Sequence, residues 1–166
     1  MLVDHRRRNS CASQPVEAAS AFMTQRILVV DDEPADIELL KESLVEIADE
    51  VRGETDSRAA ERVFTLFEPD LVLLDLHMPE PDGLEILRRL RGARAALGYV
   101  PVIVLTADDG AVARNSALLL GANDFLTKPF DRQEVRLRAR NLLQTRHLFK
   151  EVMRATGSFP RLDRAP

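Results

Sequence analysis

The chain of 166 residues, with 45% hydrophobic and 30% charged side chains, has the make-up of one well-packed globular domain with room for short appended segments. No apolar stretch approaches the roughly 20 residues needed to cross a bilayer, which argues against a membrane protein. Net charge is −4 but uneven: residues 24–131 hold 22 acidic against 11 basic side chains, and residues 132–154 hold seven basic against two acidic. An acidic body argues against a core that grips nucleic acid, since polyphosphate affinity needs clustered Lys and Arg.

Residues 1–24 mix Arg, Ser, Gln, Ala and Pro without periodicity and are expected to form a flexible leader. No sustained apolar segment follows Arg6–Arg8, as a secretory signal would require, and the single cysteine, Cys11, cannot close an intrachain disulfide. The cytoplasm is the natural setting for such a chain. Ile27–Val30 then reads as a buried strand, followed by a helix from Pro34 whose apolar face is Ile37, Leu40, Leu44 and Ile47. A weaker strand is predicted over Glu50–Thr55 and a helix over Ser57–Phe67, ended by Pro69.

Leu71–Leu74 is the second strong strand. Pro79, Pro81 and Gly83 make an irregular loop before a helix opened by Asp82 and Glu85 at capping-box spacing. Gly92 and Gly98 bracket its exit, and Val102–Leu105 is the third strong strand. A helix over Asp109–Leu120, stopped by Gly121, leads to a short strand, Asp124–Leu126. Asp131 and Glu134 repeat the capping-box spacing before a helix that persists to about Arg154. Five strand–helix units with right-handed crossovers make a doubly wound parallel α/β sheet with helices on both faces.

In such sheets ligands gather beyond the carboxyl ends of the strands. That edge is expected to collect Asp31 and Asp32, Asp75, Thr106 and Lys128: three carboxylates, a hydroxyl and an ammonium. This set suits a hard divalent cation and a phosphoryl group. Asp31-Asp32, Asp75, Thr106-Ala107 and Lys128-Pro129, after the first, third, fourth and fifth strands, resemble the receiver domain of bacterial two-component response regulators, chemotaxis receiver included, over roughly residues 25–145.

The resemblance implies a flavodoxin-like five-stranded sheet in the order 2-1-3-4-5, here with an extended C-terminal helix. It divides the chain into a leader (1–24), a receiver (25–145), a helical extension (146–156) and a flexible tail (157–166). It also implies Asp75 as acceptor of a phosphoryl group from a sensor histidine kinase or phosphotransfer protein, with Mg2+ as cofactor. Magnesium keeps several waters, so Asp32 and Asp75 are expected to bind it directly and Asp31 through water. The resemblance adds the backbone carbonyl of His77 as a further ligand and a cis Lys128–Pro129 peptide. Lys128 would counter the charge on the phosphoryl group and the Thr106 hydroxyl would donate to it. Without metal, the clustered carboxylates should repel one another and raise at least one pKa.

The His77 side chain and Asp108 are expected to line the pocket mouth. Phe125, three residues before Lys128, stands where the family carries an aromatic that moves with Thr106, and it also reads as a plain strand aromatic. The face made by the fourth helix, fifth strand and fifth helix would carry the output. Val135, Ala139, Leu142, Arg146, Phe149 and Met153 form a heptad-like row that suggests a homodimer through the last helix. Its basic residues read better as a solvated face than as a nucleic-acid surface. Two rivals remain: an aspartate-nucleophile phosphohydrolase, disfavoured because His77 stands where a second Asp would serve as general acid, and a phosphorylation-independent scaffold. Residues 157–166 are too short for a domain, so either an output module lies elsewhere or the receiver acts alone, as a switch and not a turnover enzyme.

Overall fold

Branched apolar side chains favour extended backbone in Ile27–Val30, Leu71–Leu74 and Val102–Leu105, and all three segments lie in strands. The computed structural model describes residues 24–92, 98–107 and 111–157. Its elements are β1 (Arg26–Val30), α1 (Pro34–Leu44), β2 (Glu50–Glu54), α2 (Ala60–Phe67), β3 (Leu71–Asp75), α3 (Gly83–Gly92), β4 (Val102–Thr106), α4 (Ala111–Leu119), β5 (Asp124–Thr127) and α5 (Arg132–Thr156). The five strands are parallel in the order β2-β1-β3-β4-β5, the flavodoxin-like arrangement expected.

Side chains alternate across a strand, so each strand feeds two cores. Leu28, Val72, Leu74 and Val104 pack under α2, α3 and α4. Ile27, Val29, Leu73 and Ile103 pack under α1 and α5, where Leu40, Val135 and Leu143 meet them. β3 and β4 are buried at every residue, as central strands covered on both faces must be.

Two helix limits differ from the sequence expectation. α1 stops at Leu44, where the amides of Ile47 and Ala48 both donate to the Leu44 carbonyl, at 2.9 and 3.1 Å, and turn the chain; Ile47 still packs against the core. α2 starts at Ala60, not Ser57, because Ser57 is drawn away, its hydroxyl donating to the Pro79 carbonyl at 3.1 Å. Gly121 ends the turn after α4 with φ of 98°, a backbone state that side chains resist. The leader up to residue 23, Asp108, Asp109 and residues 158–166 lie outside the described residues.

The row on the last helix proposed as a pairing seam is turned into the chain's own body at Val135, Ala139 and Arg146, all buried. Arg146 donates to the Tyr99 carbonyl and lies 3.5 Å from Asp70, which Lys150 also contacts. Phe149 meets the Tyr99 ring at 5.5 Å between centroids. The large apolar residues that α5 exposes are Leu137, Leu148 and Val152.

Candidate functional site

The backbone brings the expected residues to one edge. Asp31 follows the last residue of β1 and is fully buried; Asp75 ends β3 and is 3% exposed; Thr106 ends β4 and is fully buried. Asp32, one step beyond β1, is exposed. Lys128 follows β5, its amide donates to the Thr106 carbonyl at 2.8 Å, and its bond to Pro129 is cis. A second cis bond, Glu80–Pro81, lies in the loop after β3 and had no sequence signal assigned to it.

Each buried carboxylate is fixed by its own backbone. Asp31 Oδ1 accepts from the Glu33 amide at 2.9 Å, and Asp75 Oδ1 accepts from the His77 amide at 3.1 Å. The other oxygen of each is left facing the pocket, where Lys128 Nζ donates to Asp31 Oδ2 at 2.8 Å and Asp75 Oδ2 at 3.0 Å. A third carboxylate, Asp36 in the first turn of α1, lies 2.7 Å from the same ammonium. Sequence reasoning missed Asp36. The available signal was its place two residues after Pro34, in a helical turn that begins at the edge holding Asp31 and Asp32.

Burial raises the Asp31 carboxyl above the usual carboxylate range; bonds from Lys128 and the Glu33 amide oppose the rise, and the Asp75 charge adds to it. The expected upward shift is present, although its main cause is desolvation and not repulsion between carboxylates. For Lys128, burial works against the charged form, yet the bonds to Asp31, Asp36 and Asp75 outweigh it and hold the ammonium well above its usual value. The site is therefore an anion-rich pocket with an internal cation.

One oxygen from each of Asp31, Asp32 and Asp75 lies within 4.8 Å of the others. Hard carboxylate oxygens at that spacing, one of them exposed, fit a magnesium ion that retains some of its water. The His77 side chain is exposed, and its backbone is anchored at the pocket rim through the bond to Asp75.

Phe125 lies away from the carboxylates on β5, opposite Val104 of β4, partly buried against the core under α4. Arg114 of α4 stacks over its ring at 4.8 Å and Arg138 of α5 at 6.0 Å. Arg138 is itself held by Asp124 at 2.8 Å and Glu134 at 2.7 Å. The ring is thus placed between the two helices that flank β5, one strand from Thr106.

A family model described as the response regulator receiver domain matches residues 27–140. The chain is 43% identical over 128 residues to the response regulator MprA of Mycolicibacterium vanbaalenii, covering 74% of this chain and 52% of that protein. It is 41% identical over 119 residues to the transcriptional regulatory protein TrcR of Mycobacterium tuberculosis, covering 72% and 45%. The chain thus spans about half the length of the curated relatives it matches. Among solved structures, the receiver domain of NtrX from Brucella abortus aligns with a TM-score of 0.65 at 30% identity, covering 72% of this chain and 98% of that one.

Proposed function

Because the chain belongs to the response regulator receiver family of two-component systems, we propose that Asp75 accepts a phosphoryl group from a phosphohistidine on a sensor kinase or phosphotransfer protein. The observation that carries this reading is the convergence of Asp31, Asp32 and Asp75 within 4.8 Å, with the Lys128 ammonium 3.0 Å from Asp75. An Asp75 oxygen attacks phosphorus; a P–O bond forms as the P–N bond breaks, and the imidazole nitrogen leaves with the electron pair. Asp31, Asp32, Asp75 and the His77 carbonyl would hold magnesium, which when bound neutralises the two reacting anions and keeps them in line.

Lys128 then pairs with a phosphoryl oxygen and the Thr106 hydroxyl donates to another. Drawing Thr106 toward the new charge frees space beside Phe125, which has no hydroxyl, so its inward state is held by packing alone. The altered surface is that of α4, β5 and α5. Pairing of two copies through α5 would use the exposed row Leu137, Leu148 and Val152, since the heptad-like row is turned inward at Val135, Ala139 and Arg146.

The test is incubation with acetyl phosphate and magnesium followed by mass measurement. The parent should gain one phosphoryl group and Asp75→Asn should gain none. An unchanged parent mass would leave only the scaffold reading. Release of phosphate over many turnovers from diverse monoesters would replace the switch with a hydrolase.

A further inference from the structure

Lys128 has one more acidic partner than phosphoryl transfer calls for. Its shortest contact is to Asp36, at 2.7 Å, against 2.8 Å to Asp31 and 3.0 Å to Asp75. Asp31 and Asp75 belong to the trio whose oxygens cluster closely enough for a metal ion, whereas Asp36 does not. The ammonium and a divalent cation therefore draw on the same two carboxylates, and like charges that close repel strongly in a partly buried pocket. When the cation arrives, Lys128 must withdraw from Asp31 and Asp75. Asp36 is the partner it can keep.

Asp36 is suited to that task. It is anchored in the first turn of a helix opened by Pro34, so the backbone and not a loop fixes its position. Its side chain is 27% exposed, which gives the retreating ammonium access to water on one side. We propose that Asp36 is a positioning residue, a berth for the Lys128 ammonium that keeps it out of competition with the divalent cation while leaving it within reach of Asp75. This rests on the reading of the aspartate trio as the cation site of a phosphoryl-accepting receiver. Two duller roles make different forecasts. A carboxylate that only favours a helix N-terminus has no need of Lys128, and one that only adds to the negative field attracts magnesium whether or not Lys128 is present.

A double-mutant cycle separates these roles on the metal-stripped full chain, with magnesium affinity measured by calorimetry for the parent, Asp36→Asn, Lys128→Met and the double variant. The berth predicts that Asp36→Asn weakens magnesium binding about five- to tenfold in the parent and leaves it nearly unchanged in the Lys128→Met background. Equal losses in both backgrounds, or no loss in the parent, would overturn it. A second readout does not depend on affinity. The chain has three lysines, Lys41, Lys128 and Lys150, so 13C-methylated lysine signals are few and Lys128→Met assigns the one that matters. In magnesium-saturated protein that signal should shift on Asp36→Asn, and an unmoved signal would equally overturn the proposal. Asp36→Ser serves both measurements should the asparagine variant fold poorly. A parent that binds no magnesium and gains no phosphoryl mass would sink the receiver reading and the berth together, whereas magnesium binding without coupling would remove the berth alone.

Discussion

Asp31 is a carboxylate buried completely, and a second buried carboxylate, Asp75, shares its ammonium partner Lys128. Its raised pKa means that ionising it costs the fold more than its partners return. A carboxyl raised in the folded state favours folding most below its ordinary pKa, and that contribution is lost as pH rises through the raised value. Asp31→Asn should therefore stabilise the metal-free protein at neutral pH by about 1 kcal/mol, with the gain shrinking as pH falls through the raised value and gone below the ordinary carboxylate range. On the proposed reading of the site, magnesium should raise the melting temperature of the parent, and Asp31→Asn should reduce that rise. Calorimetric scans with chelator and with magnesium at several pH values check both. At this scale Asp31, Asp32, Asp75, Thr106 and Lys128 were legible because each stands at the end of an apolar run. Asp36 was not, because its value depends on how α1 is rotated over the sheet edge, which periodicity does not give.

The loop from β3 to α3 shows how closely an element can be set against the site. A Cβ on Gly83 would fall 2.1 Å from the Asp75 carbonyl oxygen and 2.6 Å from Leu76 Cα, both backbone atoms with nowhere to move. At Gly53 the nearest atom, 2.4 Å away, is Ile37 Cγ2, a side-chain methyl and not backbone. Gly83→Ala should reach or exceed the upper end of the roughly 1–3 kcal/mol that overpacking costs, and Gly53→Ala should cost less; shifts in urea midpoint measure the difference. The sequence marked this loop by its prolines and glycine without indicating a close approach, because nothing local records which backbone lies beneath a helix start. Both capping boxes were half right. Asp82 and Asp131 accept from the amides three residues on, at 2.8 Å each, but Glu85 and Glu134 bond to arginines one turn ahead instead of reaching back. In both helices an arginine at i+4 engages the carboxylate that a full capping box would turn back to the cap amide.

Across the whole molecule, α5 is tied to the end of the sheet remote from Asp75. Asp70, directly before β3 and 4% exposed, accepts from the Arg26 amide at 3.2 Å and faces both Arg146 and Lys150. Burial pulls the Arg146 pKa down and Asp70 partly restores it, so the pair is coupled. Asp70→Ala removes the carboxylate partner of two cations, one of them the buried Arg146, and should cost up to about 3–5 kcal/mol, whereas Arg146→Ala, which leaves Lys150 on Asp70, should cost less. Denaturant melts rank the two, and the gain of phosphoryl mass should survive in both wherever the fold does. The parallel sheet and the two-sided helices were legible from five strand–helix repeats, whereas the strand order came from the resemblance to receiver domains. The inward turn of Arg146 was not, since a charged residue in a heptad row reads as an interruption until its buried carboxylate partner is seen.

The same anchorage divides α5 into two arms of unequal length. At 1.5 Å per residue, Arg132 lies about 21 Å to one side of Arg146 and Thr156 about 15 Å to the other. Were α5 to tilt rigidly about Arg146, its two ends would move in opposite senses, and a displacement of about 2 Å at Arg132, four residues beyond Lys128, would emerge as roughly 1.4 Å, reversed, at Thr156.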